Sequence, residues 1–419
     1  MNVPHRRGAC PGLSAPMLTG DGLLVRFSPV ESMSLAAFAG LCAAARKHGN
    51  GTMEISAHGN LQVRGLTPRS APMFARAVAA FEIAAAEGMS ITVDPLADDP
   101  QAVIDTRGLA ADLRAAIAQA GLALAPKVSV LLDGGGRLHL DALAADVRLR
   151  AVAMPQGPRL HVSIAGDAAS ATPLGRLAAE TAVDVVLRLL GVIASHGQDA
   201  RAAEIVRKHG IHPFHSAVAR LVERSPALPA RAPAEVVGGH PLRDGSLALG
   251  LALAFGHAHA DDLIALTGVA AEHRARALRL APGRGLLLLG LPRAKAAALA
   301  GAAEGRGFIA HPDDPRRRIV ACPGKPACTS GLIAARALAH QLAPHLPASS
   351  VVARVHISGC AKGCAHPRIA ALTVVGTEHG CGIIRRGTAR DAPDFYVDAD
   401  RLVAEIARLE TARDEVVDA

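Results

Sequence analysis

One order of predicted elements occurs twice in this chain of 419 residues. In the first half, an apolar strand at 23–27 precedes an Ala-rich helix at 35–48, a hairpin strand pair and a further helix. In the second half, an apolar strand at 247–255 precedes a helix at 260–270, and again a hairpin and a helix follow. Strand–helix–strand–helix units of this length are typical of ferredoxin-like half-domains. The sequence therefore predicts a duplicated α+β fold in which the two halves pack about a pseudo-two-fold axis.

Each copy is followed by a longer mixed segment, which we predict to form an α+β unit whose order of elements differs in detail between the halves. Among its elements we expect helices at 174–193 and 330–342, whereas the second helix of the first copy is expected at 71–88. A stretch rich in Pro and Gly, 224–241, is the predicted linker. The predicted domains are a first ferredoxin-like half-domain (1–105), a first larger α+β domain (106–223), the linker, a second ferredoxin-like half-domain (242–312) and a second larger α+β domain (313–419).

Four cysteines in the last predicted domain form two closely spaced pairs. Cys322 and Cys328 are separated by five residues, and Cys360 and Cys364 by three. Four thiolates are the usual ligands of a [4Fe–4S] cluster. Both loops are rich in Gly or Pro, which leaves backbone N–H groups able to point at sulfur. The spacing therefore predicts a 4Fe-4S cluster that all four cysteines hold.

Zinc is the main alternative for these cysteines. Structural zinc usually takes pairs separated by two to four residues, and both intervals here can be stretched to fit it. Disulfides suit an oxidising compartment, and the three remaining cysteines (Cys10, Cys42 and Cys381) indicate no disulfide pattern. The cluster is the favoured interpretation.

The composition favours an anionic small molecule as the ligand. Lys and Arg number 45 against 37 Asp and Glu, and the chain has no Trp, one Tyr and eight Phe. No dense basic run or aromatic ladder of the kind that nucleic-acid-binding proteins show is present. The N-terminal stretch has charge but no apolar signal-peptide core, and no apolar run reaches the length of a membrane span. We expect a cytoplasmic protein with neither a nucleic-acid nor a membrane partner.

The repeat and the cysteine spacing together resemble the sulfite/nitrite reductase superfamily, over about residues 8–410. Three segments resemble its precorrin-3B synthase branch: the opening 7–26 with Arg-Gly-Ala-Cys-Pro-Gly and Gly-Asp-Gly-Leu-Leu-Val-Arg, the run Asn-Leu-Gln-Val-Arg-Gly at 60–65, and the second cysteine loop at 358–367. The resemblance implies reductase-type domains at 106–223 and 313–419. It also implies that the ferredoxin-like halves and the cluster-bearing domain enclose a tetrapyrrole.

The resemblance also implies an activity. The implied enzyme is an O2-dependent monooxygenase of aerobic cobalamin biosynthesis. It hydroxylates precorrin-3A at C20 and closes a γ-lactone with the ring A acetate. The implied cofactors are one 4Fe-4S cluster and a mononuclear non-haem iron, and Cys364 is the cysteine expected to face the substrate chamber. The chain has no Gly-x-Gly-x-x-Gly fingerprint of a flavin or nicotinamide domain, so an external electron donor such as an NAD(P)H-linked reductase is expected.

A row of polar side chains is the predicted wall of the substrate pocket. Asn60, Gln62 and Arg64 share one face of a strand, because side chains alternate along it. An early precorrin carries many carboxylates, and Arg binds carboxylates in a bidentate geometry that orients them. A solvent-facing strand side is the alternative for this row.

Four more cations complete the predicted substrate-binding set. Lys127 stands where the reductases place lysines that contact the tetrapyrrole, and Lys362 lies inside the second cysteine loop. Arg7 and Arg26 are included mainly because of the resemblance. Solvated surface cations are the alternative reading for each. No catalytic residue is assigned.

One position departs from the reductases. Where they carry an Arg that grips sirohaem, this chain has His58, which weakens the case for sirohaem. The ligands of the implied mononuclear iron are left open, because such sites usually take two His and a carboxylate and no sequence pairing selects them. The candidate histidines are His58, His161, His356, His366 and His379.

Two other functions remain as alternatives. The first is a sirohaem-dependent sulfite or nitrite reductase, which a strong visible absorption band would distinguish. The second is an iron–sulfur electron carrier or redox sensor, against which the size of the duplicated fold stands.

Overall fold

The computed structural model describes residues 11–86, 89–229, 231–346, 354–406 and 408. The first half begins with β1 (Met17–Thr19), β2 (Gly22–Pro29), β3 (Met33–Ser34), α1 (Leu35–His48), β4 (Thr52–Ile55), β5 (Leu61–Leu66), α2 (Ser70–Ala80) and β6 (Ala85–Ala86). It continues with β7 (Ser90–Val93), α3 (Thr106–Ala120), β8 (Ser129–Asp133), β9 (Ala145–Val152), β10 (Arg159–Gly166), β11 (Thr172–Leu177), α4 (Ala182–Ser195), α5 (Ala202–His209) and α6 (His212–Val218).

The second half begins with β12 (Gly238–Pro241), β13 (Leu247–Ala252), β14 (His257–His259), α7 (Ala260–Glu272), β15 (Ala277–Ala281), β16 (Gly285–Leu291) and α8 (Ala296–Glu304). It ends with β17 (Ile319–Ala321), α9 (Ala335–Leu342), β18 (Val355–Ser358), β19 (Ala370–Thr377), β20 (Gly380–Gly387) and β21 (Phe395–Val397).

Two antiparallel sheets of the same design exchange a strand. One sheet has the order β1-β2-β5-β4-β14, and the other has the order β12-β13-β16-β15-β3. Each sheet therefore takes its last strand from the opposite half of the chain, where that strand directly precedes a helix (α1 or α7). This reciprocal exchange is the pseudo-two-fold relation that the repeat predicts.

The helices that follow the exchanged strands pack against each other and join the two halves into one core. Ser34 caps α1, since its Oγ accepts a hydrogen bond from the Ala37 N–H at 3.1 Å. Phe38 and Leu41 of α1 are buried in the same apolar cluster as Leu263 of α7. Burial of such side chains is worth about 1.5–3 kcal/mol each, so neither ferredoxin-like half is an independent core.

The two remaining sheets share one topology. In the first, β7, β8 and β9 are parallel and β10 and β11 continue antiparallel. In the second, β17, β18 and β19 are parallel and β20 and β21 continue antiparallel. The prediction that the order of elements differs between these units is therefore wrong, and the duplication extends through both.

Several predicted boundaries are also wrong. Helix α2 ends at Ala80, not at 88, because Glu82 has a left-handed φ of 53°. The predicted helix 174–193 begins as strand β11 and becomes helical only at Ala182, and α9 starts at Ala335 instead of 330. The end of the predicted linker is strand β12. None of the helices within the described residues has the length and apolarity needed to cross a bilayer.

Candidate functional site

The two cysteine pairs meet at one edge of the last sheet. Cys322 directly follows β17, and the loop with Cys360 and Cys364 follows β18. Because β17 and β18 are adjacent and parallel, their carboxyl ends lie side by side and bring the two loops together. The Gly359 N–H donates a hydrogen bond of 3.0 Å to the Cys322 Sγ, so the second loop already solvates a sulfur of the first.

Glycines allow the loops to approach this closely. A methyl group on Gly359 would lie 3.0 Å from the Gly324 Cα and 3.3 Å from the Gly331 Cα. On Gly376 of β19, a methyl group would lie 2.4 Å from the Gly359 carbonyl oxygen. The Leu332 N–H also donates to that oxygen at 2.7 Å. Any side chain at these glycines would push the cysteine loops apart.

The four thiols differ in exposure but sense one another. Cys322 is buried, Cys328 and Cys360 are half-buried, and Cys364 is exposed. The pKa of the Cys364 thiol is raised, first by partial desolvation and then by repulsion from the other three thiolates, whereas Lys362 lowers it. Cys364 is therefore the cysteine on the open side of the group.

The sulfur spacing is wider than a zinc site takes. Among the described residues, three or more possible ligand atoms come within 4.8 Å of one another only at Asp133, His139 and Asp141, and not at the cysteines. Four thiolates on one tetrahedral zinc, with bonds of about 2.3 Å, would lie about 3.8 Å apart. A cubane cluster places its ligand sulfurs at the corners of a larger tetrahedron. The arrangement could hold an iron–sulfur cluster and fits zinc poorly.

Arg64 fastens the first cysteine loop to the first half of the chain. Its guanidinium donates to both carboxylate oxygens of Asp21 at 3.0 and 2.8 Å, and to the Ala327 carbonyl oxygen at 2.5 Å. The side chain is 4% exposed. Burial opposes the charge, but Asp21, Glu54 and Cys328 hold the pKa of Arg64 above its ordinary value. Arg64 is thus bound by protein groups, and its predicted role as a substrate ligand stays a prediction.

The rest of the predicted polar row continues this network. Gln62 accepts hydrogen bonds from Arg26 at 2.9 and 3.3 Å and donates to Glu54 at 3.2 Å. Glu54 is buried and also accepts from Arg336 of α9 at 2.7 Å. The row therefore faces the cysteine-bearing domain and not solvent. Sequence reasoning missed Asp21, Glu54 and Arg336, and only the burial of the row next to a second domain reveals them.

The other predicted substrate residues occupy different positions. Lys362 donates to the Ser330 Oγ at 2.7 Å and so bridges the two cysteine loops. Asn60 is half-buried in the turn before β5, and its N–H donates to the Ser56 Oγ at 3.1 Å. Lys127 is exposed in a turn two residues before β8 and has no hydrogen bond or ion pair to the described part of the chain. Arg7 lies outside the described residues. As substrate ligands, all of these stay predictions.

Of the five candidate histidines, two come together. The rings of His356 and His366 lie 5.7 Å apart beside the second cysteine loop. His356 is fully buried, and both its ring nitrogens lack a hydrogen-bond partner among the described residues. Burial, His366 and Arg284 lower the pKa of His356 to about 4, so the ring is neutral.

The remaining histidines are separate. His58 lies in the turn between β4 and β5, and its pKa is lowered by desolvation and by Arg26. His161 binds the Pro226 carbonyl oxygen at 3.2 Å, and His379 contacts Tyr396 in the last sheet. No carboxylate joins His356 and His366 in a three-ligand group within the described chain.

A cavity of about 600 Å³ lies between the halves. Its walls include apolar side chains such as Leu138, Phe255 and Ile309, and five arginines line it: Arg231, Arg284, Arg316, Arg317 and Arg354. No cysteine and none of the described residues predicted to bind substrate lines it. The cavity is therefore distinct from the open side of the cysteine group.

Comparison with known sequences decides the family. A scan against protein-family models finds no match. The chain is 40% identical over 413 residues to a precorrin-3B synthase from Sinorhizobium sp, across 96% of this chain and 88% of that protein. The chain belongs to the precorrin-3B synthase family. The predicted resemblance is confirmed, and with it the assignment of the chain to an enzyme family.

More distant relatives support the superfamily. The chain is 24% identical to the ferredoxin–nitrite reductase of Synechococcus elongatus, over 78% of this chain and 70% of that protein. It is 26% identical to sulfite reductase [ferredoxin] 2 of Mycolicibacterium paratuberculosis, over 42% of this chain and 34% of that protein. These relatives are far less similar to the chain than the precorrin-3B synthase is.

A solved structure supports the fold. The Mycobacterium tuberculosis NirA protein superposes with a TM-score of 0.74 at 21% identity, covering 92% of this chain and 80% of that one. At this identity the likeness shows the fold alone. It confirms the predicted duplicated α+β fold of the precorrin-3B synthase family member described above.

Proposed function

We propose that the protein hydroxylates precorrin-3A at C20 with O2 and closes the γ-lactone with the ring A acetate. In this reaction one oxygen atom of O2 enters the product and the other leaves as water, so two electrons and two protons are consumed. The electrons come from an external donor such as an NAD(P)H-linked reductase. The observation that carries the proposal is the 40% identity to a precorrin-3B synthase over nearly the whole chain.

We assign the four thiolates to a [4Fe–4S] cluster, which passes electrons singly when bound. The chain's own residues tune and shield it. The Gly359 N–H points at the Cys322 sulfur, and Lys362 places a cation within the second loop. Hydrogen bonds and cations around the thiolates make reduction easier. A cytoplasmic location accompanies this assignment, because reducing compartments keep such thiols free of disulfides.

The polyanionic substrate is assigned to the open side of the cysteine group, where Cys364 is exposed. Arg26 is the strongest ligand candidate, because its guanidinium is engaged by the neutral amide of Gln62 and by no carboxylate among the described residues. Gln62 orients Arg26, and Asn60 lies in the adjoining turn. Arg26 is half-buried, so its guanidinium is accessible to a substrate carboxylate, which it would bind in a bidentate geometry.

The remaining cations are assigned supporting contacts. Lys127 and Lys362 present ammonium groups to substrate carboxylates, and Arg7 is retained from the resemblance alone. Arg64 would have to release Asp21 to bind a carboxylate. Its main part in the proposal is therefore to position the first cysteine loop through Ala327.

The mononuclear iron implied by the resemblance fits the described residues poorly. His356 and His366 could supply two nitrogens, and His356 has both ring nitrogens buried without a partner. Such sites usually take a carboxylate as well, and none completes the group within the described chain. We derive no step through this iron.

Anaerobic purification followed by metal analysis tests the proposal. We expect about four iron and four sulfide per chain, no strong sirohaem absorption band, and conversion of precorrin-3A when O2 and a reductant are added. Cys360→Ser should lose iron and turnover together. Zinc in place of iron, or full hydroxylation by Cys360→Ser, would refute the assignment.

A further inference from the structure

The cavity between the halves is the pseudo-two-fold counterpart of the proposed substrate site. The loops after β7 and β8 correspond to the cysteine loops after β17 and β18, because the two sheets share one topology. Pro95 and Leu138 from these loops line the cavity. Arg284 lies in the hairpin turn that corresponds to the turn of His58, and Arg354 precedes β18 much as Lys127 precedes β8.

The two hairpin turns touch near the pseudo-two-fold axis. The Gly283 N–H donates to the Ala57 carbonyl oxygen at 2.9 Å. A methyl group on Gly59 would lie 3.0 Å from the Pro282 nitrogen. Both turns line the cavity, the first through Ala57 and the second through Pro282, Gly283 and Arg284.

At the loops after β7 and β8, ion pairs occupy the position that the cysteines have at the loops after β17 and β18. Arg231 donates to both oxygens of Asp141, at 2.9 and 2.5 Å, and to Asp133 through a short contact. His139 binds the Ala232 carbonyl oxygen at 2.8 Å. The Arg231 guanidinium stands where a cation between Asp133, His139 and Asp141 would sit. This cluster is structural and closes one end of the cavity.

The residues that line the cavity carry more positive than negative charge. Arg316 pairs with Asp314 at 2.6 Å and Arg317 with Glu235 at 2.6 Å. The acidic residues of the lining are paired as well, since Asp167 binds Arg368 at 2.7 Å. Arg284 and Arg354 have no ion pair with any described residue. Two guanidiniums thus line the cavity without an ion-pair partner in the described part of the chain, although Glu54 acts on Arg284 from a distance.

These two arginines lie close enough to repel each other. Burial, Arg354 and Arg336 lower the pKa of Arg284, and burial and Arg368 lower that of Arg354. Arg284 is half-buried and Arg354 is exposed. An anion placed between them would relieve their mutual repulsion, and guanidinium groups bind carboxylates in a bidentate geometry.

We propose that this cavity binds a second polycarboxylate ring system of the tetrapyrrole class, with Arg284 and Arg354 on its carboxylates and its macrocycle against Leu138, Phe255 and Ile309. A volume of about 600 Å³ with mostly apolar walls suits a large flat ligand. A small dicarboxylate would leave the apolar side chains of the walls in contact with water. The Arg284 guanidinium also donates to the Ala365 carbonyl oxygen at 3.3 Å, so a residue that lines the cavity contacts the second cysteine loop next to Cys364. The choice of a tetrapyrrole as ligand rests on the proposed function, because the cavity is the counterpart of the proposed substrate site.

Titration of the full-length protein with uroporphyrin III, an octacarboxylate porphyrin, tests the inference by fluorescence and equilibrium dialysis. We expect one porphyrin molecule per chain to bind in the cavity. The affinity of this site for porphyrin should fall at least tenfold in the double variant Arg284→Gln/Arg354→Gln. That binding should persist in Arg26→Gln and in Arg276→Gln, whose arginine is exposed on the protein surface. Citrate should not displace it.

A second variant protects the test against misfolding. Ala142 lines the cavity and is exposed, so Ala142→Trp fills the chamber without removing a buried contact and should also weaken the porphyrin at least tenfold. No porphyrin binding, or binding that neither the double variant nor Ala142→Trp weakens, overturns the inference. If the wild-type protein binds porphyrin in this way but does not hydroxylate precorrin-3A, the proposed reaction is contradicted and the inference about the cavity is not.

Discussion

The Arg64 guanidinium lies 2.5 Å from the Ala327 carbonyl oxygen, and this hydrogen bond joins the first ferredoxin-like sheet to the first cysteine loop. Asp21 holds the same guanidinium in a bidentate pair. Gly20, next to Asp21, packs so tightly that a methyl group there would lie 2.8 Å from the Pro326 carbonyl oxygen. The cysteine loop is therefore shaped partly by the opposite half of the chain.

Replacing Arg64 tests this coupling. Arg64→Ala leaves the half-buried Asp21 and the buried Glu54 carboxylates without their shared partner, and breaking a buried pair costs about 3–5 kcal/mol. We expect a lower apparent Tm and fewer than half the wild-type iron atoms per chain. Arg46→Ala, which removes an exposed ion pair with Asp261, is the control and should change neither. Wild-type iron content in Arg64→Ala would show that the loop is ordered without it.

The glycine contacts of the cysteine loops give a second prediction. Gly359→Ala places a methyl group against Gly324 and Gly331, so we expect the loops to separate and the iron content to fall severalfold. Gly301→Ala is the matched control, because that glycine lies within α8 and a methyl group there meets nothing within 4 Å. It should raise stability by about 0.5–1 kcal/mol. Equal iron contents in the two variants would contradict the close approach.

Much of the fold follows from the sequence, and its failures have physical causes. Helix α1 has its predicted bounds, 35–48, because its apolar periodicity and flanking residues are unambiguous. The stretch 174–177 was predicted as helix, since Leu174 and Leu177 also suit a helical face, but pairing with β10 makes it strand β11. The exchange of β3 and β14 depends on contacts between the halves that no local pattern encodes.

The candidate site, like the fold, was only partly predictable from the sequence. The spacing of the four cysteines was enough to select the two loops that the structure brings together. Cys364 is the exposed thiol, and that it faces the substrate chamber stays a prediction. The network of Asp21, Glu54 and Arg336 could not be found, because its members are far apart in the chain and acquire partners only when the domains pack. Arg284 and Arg354 were missed for the same reason.

Arg26 supplies a prediction about the substrate. Arg26→Gln removes a guanidinium that, among the described residues, only the Gln62 amide engages, and charge-assisted hydrogen bonds are worth about 1.5–3 kcal/mol. We expect the KM for precorrin-3A to rise at least tenfold with little change in iron content. Arg46→Gln controls for net charge. An unchanged KM would remove Arg26 from the substrate site.

His356 predicts an acid dependence of stability. Its pKa is about 4 in the folded chain and about 6.5 when unfolded, so the unfolded state binds more protons between these values. The contribution of His356 to the free energy of unfolding is therefore fully present above pH 6.5. It falls by about 3 kcal/mol as the pH drops towards 4. His356→Leu should show a shallower fall in apparent Tm over that range, whereas His379→Leu, in an exposed turn, should follow the wild type. Parallel curves for all three proteins would contradict the burial of a neutral His356.

The most direct test of the proposed reaction is a single turnover of the iron-loaded protein with precorrin-3A, a chemical reductant and ¹⁸O2, followed by mass spectrometry of the product. The account predicts one labelled oxygen in a hydroxylated lactone, and no product from Cys360→Ser. A product without the label, or labelled product from the cysteine variant, would contradict it.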